Sequence, residues 1–260
     1  MNKLIIANWK MHLNIAESSL LLHKLEKFIT VPKDVEVALA PNMLALQSVS
    51  LQLRHHRKFK LAAQNCFWRD DGPYTGEVSA NMLRGLVHYV LVGHSERRHT
   101  FGETDTLIRH KVQAVVRNRM QPVLCVGETA REKADGDTHF VLQDQVVAGL
   151  SNITSEEADQ IVIAYEPVWA LSNGKDFATH PTPSPDDAAE AAAFIRKHVA
   201  YLFGEAAAKK IRILYGGSVN DQNARGFMKA KGIDGLLVGG ASLNVHNFAN
   251  IVHLARSEKT

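Results

Sequence analysis

Ile161-Val162-Ile163-Ala164-Tyr165-Glu166-Pro167-Val168-Trp169-Ala170 is the stretch that decides the fold. Residues 161–165 are apolar throughout rather than alternating, as expected of a strand covered on both faces. Pro167 has no amide hydrogen to continue a ladder, so the strand stops at a lone carboxylate, Glu166. A carboxylate at the carboxyl end of a buried strand, followed by a loop, stands where α/β folds keep their chemistry.

Similar apolar runs occur on both sides of this one. They predict strands over 4–7, 35–40, 61–64, 89–92, 123–126, 161–165, 211–215 and 235–238. Amphipathic stretches lie between them. In 104–118, Leu107, Ile108, Val112, Val115 and Val116 fall on one helical face. Further helices are expected over 16–29, 186–203 and 219–229, with a last one near 245–256. Strands alternating with helices imply a parallel sheet. Eight such units without a Pro/Gly/Ser linker or a shift in composition favour a closed eight-stranded parallel (β/α)8 barrel, a single domain over residues 1–260. An open doubly wound sheet is the competing architecture, but no strand is followed by its Gly-x-Gly-x-x-Gly.

Bulk properties exclude other classes. Lys and Arg number 30 against 27 Asp and Glu, a balance too even for a nucleic-acid partner, and there is no basic run. No apolar run reaches the roughly 20 residues a bilayer needs, so no membrane partner is expected. The start of the chain lacks signal-peptide architecture, and a cytoplasmic location is expected. Asn152-Ile153-Thr154 matches a glycosylation acceptor but has no secretory route to use it. The two cysteines, Cys66 and Cys125, are too few for a disulfide framework and read as small buried hydrophobes. No His/Cys/carboxylate set has zinc spacing, so no metal is expected.

In a barrel the loops after the strands share one face, and residues far apart in sequence converge there. That rim would carry Asn8-Trp9-Lys10, Gly93-His94-Ser95-Glu96-Arg97-Arg98, Glu166, Gly216-Gly217-Ser218 and Gly239-Gly240. An acid/base pair, a lysine and two glycine turns suit a small phosphorylated carbonyl compound. Glycine lets backbone N–H groups approach a dianion.

These segments, with Ala164-Tyr165-Glu166-Pro167-Val168-Trp169-Ala170, Tyr215-Gly216-Gly217-Ser218-Val219 and Leu237-Val238-Gly239-Gly240-Ala241-Ser242, closely resemble the triosephosphate isomerase family. They occur in family order and spacing over nearly the whole chain. The resemblance implies a TIM barrel that interconverts dihydroxyacetone phosphate and D-glyceraldehyde 3-phosphate with no cofactor. Glu166 resembles the general base. His94 resembles the electrophile that polarises the carbonyl, with a short helix opening at Ser95; among 13 histidines only its motif singles it out. Lys10 would supply positive charge to the substrate, with Asn8 as polar partner of both. Glu96 would be a supporting carboxylate or a purely structural ion pair. Ser218, Gly239 and Gly240 would cradle the phosphate.

The family's closing loop usually carries Ala-Ile-Gly-Thr-Gly-Lys at its tip; this chain has Ala170-Leu171-Ser172-Asn173-Gly174-Lys175. Ser172 would still offer its backbone amide to the phosphate, though a non-glycine residue there resists unusual φ/ψ values. The Pro-rich segment 176–185 exceeds the usual family connection and reads as a neutral surface insertion. Residues 65–77 resemble the intersubunit loop. They imply a homodimer in which Thr75 is supplied in trans. Two other functions compete: an isomerase of a four-carbon ketose phosphate using the same base and electrophile, and a non-catalytic barrel that binds. Intact Lys10, His94 and Glu166 argue against the last.

Overall fold

A computed structural model describes residues 1–54, 58–171 and 183–256. Eight strands form a closed barrel in sequence order: β1 Lys3–Asn8, β2 Val35–Ala40, β3 Lys60–Ala63, β4 Tyr89–Val92, β5 Gln121–Val126, β6 Val162–Tyr165, β7 Arg212–Tyr215 and β8 Gly235–Val238. Every pairing is parallel, and β8 closes on β1 through Leu4 opposite Gly235 and Ala7 opposite Val238. A Cβ at position 235 would stand 1.8 Å from the Leu4 carbonyl oxygen, so glycine makes this seam possible.

The period of two along each strand sorts the core into two parts. Leu4 and Ile6, Ala38 and Ala40, Tyr89 and Leu91, Val162 and Ala164 fill the barrel interior. Their neighbours Ile5, Ala7, Val37, Leu39, Val90, Ile163 and Ile213 point outward into the layer shared with the helices. Both faces are therefore dry, which is why the strands read as unbroken apolar runs. The amino-terminal mouth is closed by charge instead. Lys60 Nζ pairs with Glu36 Oε2 at 2.7 Å, Arg212 Nη2 donates to the Tyr89 hydroxyl at 2.8 Å, and that hydroxyl donates to Glu36.

The helices begin where local chemistry satisfies free amides. Asn14 and Glu17 form a reciprocal capping box on the helix Ile15–Phe28. Ser184 and Asp187 do the same for Pro185–Phe203, and Gly204 at φ 87° ends it. The expected helix over 219–229 is shorter, Ala224–Lys229. Asn220 Oδ1 accepts the amides of Gln222 and Asn223 at 2.9 Å each, holding that stretch in a turn. The helices Met43–Leu53 and Thr138–Leu150 stand out less in the sequence, because their apolar residues are not confined to one stripe. Among the described residues no helix is long and apolar enough to cross a membrane.

Candidate active site

The carboxyl end of β6 delivers Glu166. Its amide donates to the Val126 carbonyl at 2.8 Å, extending the ladder one residue past the strand, and its side chain is buried. One carboxylate oxygen, Oε2, accepts the Ser95 backbone N–H at 3.0 Å; the other, Oε1, lies 3.1 Å from His94 Nε2. Gly216 makes room for this side chain, since a Cβ there would meet Glu166 Cγ at 2.9 Å.

His94 sits between β4 and the short helix Ser95–His99, as its N-cap. The imidazole Nδ1 accepts the Glu96 backbone N–H at 3.3 Å. An Nδ1 that accepts carries no proton, so the ring proton is on Nε2 and points at the Glu166 carboxylate. The sequence expectation of a short helix opening at Ser95 holds, and the cap itself selects the tautomer.

Lys10 adopts φ 51°, a left-handed conformation uncommon for a side chain with a Cβ. Two side chains hold it there. Asn8 Oδ1 accepts the Lys10 amide at 3.1 Å, and Gln64 Nε2 bridges the carbonyls of Lys10 and Ala40, 2.9 Å to each. The ammonium then pairs with Glu96 Oε1 at 2.6 Å. Burial pushes the Glu96 carboxyl up, but the hydrogen bond and charge of Lys10, with His94 and His12 behind them, outweigh it and hold it below the usual range.

Asn8, Lys10, His94, Glu166, Ser218 and Gly239 line one shallow hollow, about 470 Å³ with the open solvent at its mouth included, completed by Gly216, Gly217, Gly240 and Leu171. Of the expected site residues, those from five strand ends do meet. Glu96 joins through its ion pair. Thr75, expected to act in trans, is exposed on its loop, away from this wall. Ser172 and the rest of the lid tip lie outside the described residues, as does 176–182 of the Pro-rich segment. The helix start expected directly behind Gly216-Gly217-Ser218 is displaced to Ala224. Ser218 Oγ donates to the Ala170 carbonyl at 2.5 Å.

Sequence reasoning missed three contributors. Gln64 was read only as the last residue of a strand. Gly127 and Glu128 follow β5 on the same rim. Glu128 is fully buried; its Oε1 accepts the Trp169 indole N–H at 2.7 Å and the Tyr165 hydroxyl at 3.1 Å. The available signal was Gly127-Glu128-Thr129 itself, a carboxylate two residues past a buried strand, where Glu166 is one residue past its own. Both cysteines are buried thiols. Burial pushes Cys66 up to about 12 and Cys125 well above its ordinary value, so neither serves as a nucleophile.

A closed parallel barrel whose rim sets a buried carboxylate against a singly protonated imidazole, with a lysine and glycine turns around them, defines an isomerase of the aldose–ketose class. Residues 3–255 match the family model described as triosephosphate isomerase. Proteins named triosephosphate isomerase are similar along their whole length. That of Trichlorobacter lovleyi is 44% identical over 251 residues, 96% of this chain and 97% of the relative. That of Geotalea uraniireducens is 44% identical over 258 residues, 98% and 100% of the two chains. That of Chloroherpeton thalassium is 43% identical over 255 residues, 97% and 98%. The chain belongs to the triosephosphate isomerase family.

Proposed function

We propose that this chain interconverts dihydroxyacetone phosphate and D-glyceraldehyde 3-phosphate in the cytoplasm, by moving one proton between adjacent carbons. The observation that carries this reading is the 3.1 Å approach of His94 Nε2 to Glu166 Oε1 on the wall of the hollow that Lys10 enters. Glu166 takes the proton from the hydroxyl-bearing carbon as electrons pass through the new carbon–carbon double bond to the carbonyl oxygen. His94, with its proton on Nε2, donates to that oxygen, and the Lys10 ammonium stabilises the charge that develops there. His94 then regains a proton from the neighbouring hydroxyl, and Glu166 returns its own to the adjacent carbon. In the free enzyme His94 Nε2 and Lys10 Nζ face Glu166 and Glu96. The substrate's oxygens would replace those carboxylates. Amides of 216–218 and 239–240 would hold the phosphate, with Ser172 closing from the lid.

This reading includes a homodimer. Lys10, His94 and Glu96 also wall a second hollow, about 990 Å³ with open solvent included, which extends to Gln64, Gly76 and Phe101. Met11 and Phe101, both on its wall, are 95% and 68% exposed. Insertion of a partner's 65–77 loop, Thr75 first, would cover it.

The test is a coupled isomerase assay on purified protein with three- and four-carbon ketose phosphates, with and without phosphoglycolohydroxamate. The triose is expected to be favoured in kcat/KM, and the enediolate analogue to inhibit far below KM. A preference for the tetrulose phosphate, or indifference to the analogue, would overturn the assignment.

A further inference from the structure

One rim cation has no part in the proton transfer described above. Lys133 lies on the short helix Ala130–Ala134, which Thr129 and Glu132 fix by a reciprocal capping box. Its Nζ stands 4.3 Å from the centroid of the Trp169 ring. The edge of that indole donates its N–H to Glu128 Oε1 at 2.7 Å. The indole therefore bridges a buried carboxylate and a surface ammonium, with the cation on its electron-rich face and the anion at its N–H. Each contact polarises the ring in the sense that strengthens the other. Among the described residues Glu128 forms no ion pair, and its Oε2 has no hydrogen-bond partner.

Trp169 is the middle residue of the 3-10 turn Val168–Ala170. The turn is tied at two further points. The Val168 amide donates to the Glu128 carbonyl at 3.0 Å, and the Ala170 carbonyl accepts Ser218 Oγ. Leu171, the next residue, forms part of the hollow's wall. Lys133 is also among the charges holding the Asp187 carboxyl below its usual range, behind the hydrogen bonds from Ser184. Asp187 caps the helix by which the chain re-enters the barrel after this wall. The ammonium thus acts on the chain on both sides of the segment 172–182.

We infer that Lys133 is a positioning residue for substrate binding: by clamping the Trp169 indole onto Glu128 it sets where the 168–170 turn and Leu171 stand against the phosphate side of the hollow. This rests on the isomerase reading above and adds to it a residue that touches neither substrate nor reacting groups.

Lys133→Met removes the charge and keeps most of the stem, whereas Lys133→Arg keeps a cation that can lie on the ring. An exposed cation–ring contact corresponds to about a two- to fivefold change in an equilibrium. Lys133→Met is expected to raise KM and weaken phosphoglycolohydroxamate by that factor, to leave kcat within about twofold, and to shift Trp169 fluorescence. Lys133→Arg should restore all three. Wild-type KM and analogue affinity in the methionine variant, whatever its Tm, would overturn the inference. So would equal losses in both variants. If wild-type protein itself turns over no triose phosphate, the isomerase reading fails instead, and the fluorescence comparison still reports on the clamp.

Discussion

The most demanding test of how the base is seated is Gly127→Ala. A Cβ at this position would stand 1.9 Å from the Glu166 carbonyl oxygen and 2.6 Å from its carbonyl carbon, where ordinary contact begins at 3.4 Å. The two chains must separate by roughly 1.5 Å, because both contacts are backbone and neither can rotate away. Gly127 cannot supply that movement freely. Its amide donates to Gln145 Oε1 at 2.8 Å and its carbonyl accepts Gln145 Nε2 at 3.3 Å, a bracket from the helix layer. Relief therefore falls on Glu166, whose own amide is held to Val126 at 2.8 Å. Overpacking of this kind costs about 1–3 kcal/mol, which for a chain of this size lowers Tm by roughly 2–12 °C. Displacing a reacting group by about 1 Å costs on the order of 100-fold in rate. The variant, assayed well below its own Tm, should lose about two orders of magnitude in kcat/KM, mostly in kcat. Folded Gly127→Ala with kcat within about threefold of wild type would refute the claim that this contact positions the base.

Glu166→Asp withdraws the carboxylate by one methylene, and kcat should fall by about two orders of magnitude or more with circular dichroism unchanged; near-normal turnover would remove Glu166 from the mechanism. Glu36→Gln probes the opposite mouth of the barrel. Burial raises the Glu36 carboxyl, but Lys60, Tyr89 and Arg212 together hold it below the ordinary 4.5 in the fold. A carboxyl so depressed contributes stability that is present above 4.5 and disappears as pH falls through the lowered value. Wild type should therefore exceed Glu36→Gln in Tm at neutral pH, with the gap closing below 4.5 and neutral kcat unaltered; a gap independent of pH would contradict the assignment. Thr75→Arg, at the exposed tip of the 65–77 loop, should shift sedimentation toward monomer and depress activity at low protein concentration. A variant that sediments as wild type would leave the loop without an intersubunit role.

The strands were legible because every one is dry on both faces: their predicted limits lie within two residues of the observed ones. Such a sheet writes its length directly into hydrophobicity, and the first polar or glycine residue after each run marks the rim. Asn8, His94 and Glu166 could be placed for that reason. What stayed hidden are relations between segments. Glycine at 127 looks like any turn glycine until the carbonyl of residue 166 is laid against it. Gln64 seemed to end a strand, yet its amide braces the left-handed backbone of Lys10. The helix expected from 219 fails locally, because Asn220 captures amides that a helix would need.

Glu128 shows why a rim carboxylate is ambiguous on its own. It and Glu166 each follow a buried strand closely, and both are almost wholly buried. Their partners separate them. Glu166 accepts one backbone amide and stands 3.1 Å from the His94 imidazole, on the wall of an open hollow. Glu128 accepts an indole and a phenol, donors that burial and the buried charge itself make harder to ionise; the Tyr165 hydroxyl is raised for these reasons. A carboxylate whose donors cannot release their protons is suited to holding structure, and one facing a titratable donor beside open space is suited to chemistry. Glu128→Gln keeps a carbonyl oxygen for Trp169 and should retain most of kcat, whereas Glu166→Gln keeps the Ser95 contact and should retain almost none. Comparable kcat losses in the two variants would show that burial at the rim, rather than the partner's chemistry, distinguishes the base.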